Sequence, residues 1–165
     1  MKNDTLKIKD DAAIHGRFRA IKYKAGTKEI ISVGPWNRNK IMLSTSTGKG
    51  IILRHLNNDS AVPLGLTYAD LGLGTTEPNI ADTTLENASA RGAKATGTVL
   101  SNILTLQFFF PDGDLPNATY TEFGTFSNGS ATVDTGNIFN RALFGTPYEK
   151  ASGEDTTIEQ EFELN

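Results

Sequence analysis

The stretch Gly92–Leu100, GAKATGTVL, followed by Ser101–Asn102 and by ILTLQFFF at Ile103–Phe110, decides the fold class. Two runs flank a two-residue turn, the connection that β-hairpins favour. In the second run Leu104, Leu106, Phe108 and Phe110 fall on one face, alternating with Thr105, Gln107 and Phe109. That period of two is the mark of a strand with one buried face.

The same grammar continues downstream. PDGDLPN at 111–117 is rich in turn formers. TYTEFGTF predicts a strand, SNGSATVDTG a loop, NIFNRALF a further strand, and GTPYEKASGED a connection. At the C-terminus Ile158, Gln160, Phe162 and Leu164 alternate with Glu159, Glu161 and Glu163. Three carboxylates on one face of a strand predict that this face meets water or a basic partner.

Upstream, IHGRFRAIKYK, the turn AGT and KEIISVGPW predict a hairpin, with Pro35 ending its second arm. In NRNKIMLSTSTGKGIILRHLNN, Ile41, Thr45, Gly48, Ile52 and Leu56 recur near the helical period. This predicts one helix, capped by Asn39 or Ser44 and ending near Asn57 and Asn58. LGLTYADLGLG predicts a strand. Short strands at short intervals with Gly/Pro-rich turns suggest a mainly β protein, an antiparallel β-sandwich with one helix. The 165 residues suggest one domain, with residues 13–165 forming the sandwich and the charged residues 1–12 a flexible or docking N-terminal arm.

Composition narrows the chemistry. The chain has no cysteine, which excludes disulfides, thiolate zinc sites and cysteine nucleophiles. Its two histidines, His15 and His55, are too far apart in sequence for a zinc-binding helix motif and stand beside no nucleophile elbow. They are expected to be structural, with His55 favoured by a helix C-terminus. A net charge of -3 argues against a nucleic-acid surface. The N-terminus has no apolar signal-peptide core, and no run approaches the roughly 18 apolar residues of a membrane helix. These features predict a protein made in the cytoplasm, with neither nucleic acid nor membrane insertion among its partners.

Motifs that resemble ligand loops fail their templates. STGKG at 46–50 has Leu43 where a phosphate loop needs its first glycine and Gly50 where it needs Ser or Thr. Gly72 and Gly74 in GLGTTEP supply a G-x-G, but Glu77 replaces the third glycine of a dinucleotide fingerprint. Glycine there is expected to permit a sharp turn at positive φ, with Pro78 stiffening the exit. Asp112 and Asp114 in DGD could offer oxygen ligands to a hard cation, yet lack EF-hand spacing; a tight turn accounts for them as well. Glu159, Glu161 and Glu163 read as a solvated face rather than a glycosidase pair. Trp36, the one tryptophan, is a thin basis for a sugar platform. Arg91 and Arg141 stand in apolar contexts, where arginine forms bidentate pairs; an internal partner, Asp82 or Glu122, is expected ahead of one on a neighbouring subunit. No cofactor and no metal site is predicted.

The run LGLGTTEPNIADTTLENASAR, Leu71–Arg91, resembles a segment of tailed-bacteriophage virion proteins of the tail-collar fibre and minor tail type. Their pattern is a strand ending in LGxG, then Pro, Asp, L-x-N-E and Arg. Leu71, Gly72, Gly74, Pro78, Asp82, Leu85, Asn87 and Arg91 match, while Ala88 stands in place of Glu. The N-terminal hairpin and helix, TEFGTF followed by NRALF, and the closing strand resemble theirs in the same order. The resemblance implies a β-rich virion component without catalysis, working through contacts with other virion proteins in a homo-oligomer. Tail, collar or baseplate is its implied place. Capsid decoration and a host-surface glycan- or receptor-binding module are the alternatives. Gly72, Gly74, Pro78, Asp82, Asn87, Arg91 and Arg141 are the structural or interface candidates. Asp82 is expected to cap a short crossover and Arg91 to tie it to the sheets.

Overall fold

A computed structural model describes residues 13–165. The predicted arm, residues 1–12, lies outside the described residues. Eleven strands and one helix follow in chain order. They are β1 (Ile14–Lys24), β2 (Ile30–Val33), β3 (Asn37–Arg38), β4 (Lys40–Ile41), β5 (Leu43–Ser44), α1 (Gly48–Leu56), β6 (Leu66–Gly72), β7 (Ala88–Leu100), β8 (Ile103–Phe110), β9 (Thr119–Ser127), β10 (Asn137–Glu149) and β11 (Glu154–Leu164). The mainly β, antiparallel character is as the period-two patterns predict.

The expected sandwich gives way to one sheet of order β2-β1-β11-β8-β7-β6-β9-β10-β4, with β3 also on β1. The sheet curls into a half-barrel. Phe18 of β1 stacks on Phe123 of β9, their ring centroids 4.5 Å apart, and meets Phe144 of β10 edge-on at 4.9 Å. These strands are far apart in the sheet order, so only a curled sheet brings them together. A short segment spans the two sides: Arg38 and Asn37 pair with Arg17 and Phe18 of β1, and Ile41 and Lys40 pair with Asn140 and Arg141 of β10. Only Asn39 separates the two pairings.

The hairpin β7–β8 forms at Ser101–Asn102, where Ser101 takes a φ of 55°. Leu106, Phe108 and Phe110 face the inside of the curl and join Phe18, Leu71, Phe123, Phe144, Ile158 and Phe162 in the main core. One polar layer crosses that core: Thr125 and Gln160 both donate to Asn140 Oδ1, and all three side chains are fully buried. A second cluster, Met42, Leu85, Phe126 and Ile138, lies on the outer face of β9 and β10. Leu85 belongs to the connection between β6 and β7, which therefore covers that outer face.

The helix is shorter than its sequence period suggests. Ile41 lies in β4, and Thr45 falls between β5 and the helix. Thr47, with extended φ and ψ, is the N-cap in place of Asn39 or Ser44, and makes no side-chain capping bond. Ser and Thr in this run favour turns over helix interior, and strand pairing with β10 claims Ile41. The helix does end at Asn57, with His55 in its last turn as expected. The acidic face of β11 meets a basic partner within the chain: Glu161 receives Arg17 Nε at 2.7 Å and Glu159 receives Arg19 Nε at 2.8 Å. Both guanidiniums lie over the Trp36 ring, at 4.4 and 4.5 Å from its centroid.

Phe18 carries the contact between the two sides of the curl. Phe18→Ala is expected to lower stability by about 3–5 kcal/mol, read as a shifted midpoint in urea unfolding.

Candidate functional site

Two buried arginines on the outer face of the sheet hold the β6–β7 and β9–β10 connections. Arg91 sits on β7 directly opposite Asp70 of β6. Nε and Nη2 donate to the two carboxylate oxygens of Asp70 at 2.5 and 2.8 Å. The pair is almost wholly removed from solvent. Nη1 reaches out to Ser130 O at 2.8 Å, Thr135 O at 3.0 Å and Thr135 Oγ1 at 2.8 Å. The N–H of Asp134 returns to Asp70 Oδ2 at 2.7 Å. The guanidinium lies over Phe126, 4.7 Å from its centroid. The connection between β9 and β10 is thus folded down onto the sheet. Burial raises the Asp70 carboxyl, opposed by the hydrogen bond from Arg91, and burial raises Asp134 too.

The second arginine, Arg141 of β10, meets Glu122 of β9. Glu122 is fully buried. Its Oε1 accepts Gly74 N–H at 2.9 Å and Asn87 N–H at 2.7 Å, and its Oε2 accepts Glu86 N–H at 3.1 Å and Arg141 Nε at 3.0 Å. Arg141 then bonds Asp82 Oδ2 at 2.7 Å through Nη1 and Thr76 O at 3.1 Å through Nη2. Glu86 accepts the N–H groups of Thr75 and Thr76, each at 2.8 Å. One buried ion pair therefore holds both ends and the middle of residues 73–87. Burial alone would lower the Arg141 guanidinium; Asp82 and Glu122 outweigh it and raise it. The Glu86 carboxyl is lowered, first by the N–H of Thr76.

The seven candidate residues fall into this arrangement. Gly74 and Asn87 donate to Glu122, Asp82 pairs with Arg141, and Asn87 O also accepts Leu73 N–H at 2.9 Å. Pro78 is buried, and its carbonyl accepts Lys40 Nζ at 2.5 Å. Arg91 does not tie down the 73–87 connection as expected: it pairs with Asp70 rather than Asp82 or Glu122 and holds Ser130 and Thr135 of the β9–β10 connection. Two further expectations are corrected. Neither Gly72 nor Gly74 has a positive φ. Glycine is required because a Cβ at Gly72 would stand 2.6 Å from Asn87 O and 2.6 Å from Glu122 Oε1, and one at Gly74 would strike the same Oε1. Asp82 caps no helix: residues 73–87 are irregular, and Asp82 Oδ2 accepts Asn79 N–H at 2.9 Å in a turn.

Elsewhere, Asp112 of the DGD turn faces an ammonium group. Lys150 Nζ lies 2.5 Å from Asp112 Oδ1 and 2.6 Å from Ala151 O, its side chain fully buried. The same carboxylate accepts the N–H groups of Gly153 and Glu154. The hydrogen bond from Lys150 lowers the Asp112 carboxyl. Among the described residues no group of three or more His, Asp and Glu is placed to hold a metal ion. His55 Nε2 bonds the carbonyl of Val62 at 2.8 Å. Asp70, Lys150 and the carboxylate role of Glu86 were missed in the sequence, since each acts through a partner distant along the chain. The signal that was there is the pair of glycines beside a later Glu-Phe-Gly.

No protein-family model, no curated protein and no solved structure matches this chain. What the site does is therefore read from its chemistry. Its carboxylates are saturated with donors and its guanidiniums with acceptors, an arrangement suited to fixing loops in place.

Arg141→Met leaves Glu122 as a buried unpaired charge and is expected to lower stability by about 3–5 kcal/mol, read by urea unfolding. Gly74→Ala should lower stability as well, by displacing the Glu122 carboxylate, whereas the open Gly113→Ala should not. Asp59, Glu86, Asp112 and Glu154 are all held below their ordinary range. A depressed folded-state pKa stabilises above the unfolded value and loses that contribution as pH falls through the folded one. Asp70 and Asp134, raised, act in the opposite sense. The midpoint temperature is expected to fall below about pH 4, and less steeply in Asp112→Asn, as measured by thermal unfolding across a pH series.

Proposed function

We propose that this chain is a non-enzymatic bacteriophage virion structural protein that acts through assembly contacts, in a homo-oligomer and with other virion proteins. Tail, collar or baseplate is the preferred position. The observation that carries an assembly role is the placing of exposed apolar side chains at two margins of the sheet. The first is β2, an outermost strand on which Ile30, Ile31 and Val33 are all half exposed. The second is the tip of the β7–β8 hairpin, where Val99 and Leu100 are 73% and 80% exposed, beside Leu164 at 60%. Outermost strands and grouped apolar side chains are where partners add to a β protein. The charged groups of the outer face, by contrast, pair within the chain at Arg17–Glu161, Arg19–Glu159 and Arg91–Asp70.

The virion assignment rests on the order of motifs from Leu71 to Arg91 and through the C-terminal strands. The rigidly held 73–87 connection is consistent with a surface presented for docking. Capsid decoration uses the same kinds of contact and differs in copy number.

Mass spectrometry of purified particles of the encoding phage tests this. The chain is expected in the particle, at a copy number matching a tail, collar or baseplate ring. A copy number matching the capsid lattice would select decoration instead. Presence in infected-cell lysate with absence from particles would contradict a virion role.

A further inference from the structure

The geometry points to a binding site for a small organic phosphate monoester, in the basic cavity where β3 and β4 cross between β1 and β10. This goes beyond the assembly role and uses none of the apolar margins that carry it. The cavity has a volume of about 880 Å³, within the range of small-molecule sites. Four permanent cations, Arg17, Arg38, Lys40 and Lys49, line it against two carboxylates, Glu161 and Glu163. The chain as a whole carries a net charge of -3, so this positive surplus is a local feature. A concave site with an excess of one sign of charge concentrates ions of the other.

The register shows which cations are committed. Glu161, Arg17 and Arg38 form one row across β11, β1 and β3, with Arg17 directly opposite both of the others. Glu161 neutralises Arg17, whose Nη2 lies 2.6 Å from Oε2. Arg38 is left facing a like charge, which is unfavourable between directly opposed strand positions. An anion set between the two guanidiniums removes that repulsion. Lys40 Nζ donates to Pro78 O at 2.5 Å, a partner without charge. Arg38 and Lys49 form no ion pair among the described residues, and Glu163 stands opposite His15, one step along from this row.

Asn39 is an independent sign of a ligand. It also lines the cavity. Its Oδ1 and Nδ2 are buried and have no hydrogen-bond partner. The carboxamide lies against Gly16, where any Cβ would collide with it. Buried polar groups are normally paired. Here Nδ2 offers a donor to a phosphate oxygen and Oδ1 an acceptor to a ligand hydroxyl. The surplus of two cations matches the charge of a phosphate monoester, about -1.5 to -2 at neutral pH, and the arginine fork suits its oxygens. Ile41, Ile80, Ile103 and the Trp36 ring complete the wall and give an organic body something to pack on.

Trp36 is the only tryptophan, so its fluorescence reports binding in this cavity. The full-length chain is titrated with glycerol 3-phosphate, glucose 6-phosphate and ribose 5-phosphate, and with inorganic phosphate and glucose as controls. Each titration is repeated by isothermal calorimetry. Saturable binding of at least one monoester is expected, tighter than inorganic phosphate and absent with glucose. Arg38→Gln combined with Lys49→Gln is expected to weaken it by about tenfold or more, with an unchanged circular dichroism spectrum. No saturation with any of the three esters would overturn the site. Equal affinity for inorganic phosphate would also overturn it, as the mark of an adventitious ion only, and so would undiminished binding by the double variant. Thermal unfolding gives a second reading. The bound ester raises the midpoint of the wild-type chain but not of the variant. Without ester, Arg38→Gln alone does not lower the midpoint, because it removes a like charge opposite Arg17; a lowered midpoint would contradict the argument.

Discussion

The ion pair between Glu122 and Arg141 is the constraint on which the outer half of this structure depends. Both groups lie on strands of the curled sheet, facing away from the main core. A buried carboxylate is tolerable only if its lone pairs are filled. Here the donors come from Gly74, Glu86 and Asn87, so desolvating Glu122 requires residues 73–87 to close over it. Once closed, the connection brings Leu85 onto Phe126 and Ile138 and forms a second apolar layer. A long irregular segment is thereby turned into a fixed surface without a helix or strand of its own.

The two arginines divide the work. Arg141 holds the β6–β7 connection, and Arg91 holds the β9–β10 connection through Asp70, Ser130 and Thr135. They are linked across the surface by Leu85 N–H, which donates to Asp134 Oδ1 at 3.3 Å, while Asp134 itself is bonded to Asp70. The opposite flank of the barrel is held differently. There the Arg17 and Arg19 ladder on Glu161 and Glu159 is more open to solvent and clamps Trp36 rather than a loop. Exposed pairs of that sort contribute little each, whereas removing one partner of the buried Glu122–Arg141 pair leaves an uncompensated charge.

What the sequence revealed follows the range of the interactions involved. The β7–β8 hairpin and the alternation of β11 depend on neighbours and on period, and both were legible. The closure of the sheet was not. Whether strands form two layers or one curled layer is decided by contacts such as Phe18 with Phe123, more than a hundred positions apart. The helix start was misplaced because Ile41 has a helical spacing and a strand partner, Asn140, that no local pattern displays. Arg91 and Arg141 stood out as charges in apolar surroundings, and Asp82 and Glu122 were nameable as partners, though not which arginine they serve. Asp70 as the partner of Arg91 was not. The glycines at 72 and 74 were conspicuous, but their cause was a carboxylate from β9 lying against the backbone, not a turn.

Hydrogen exchange at the backbone amides of Gly74, Glu86 and Asn87 tests the central claim most directly. If Glu122 makes the 73–87 connection part of the folded unit, these three amides exchange only when β9 and β10 open, at the slow rate of the sheet. Exchange at the rate of a free surface loop, with the β9 and β10 amides still protected, would contradict it.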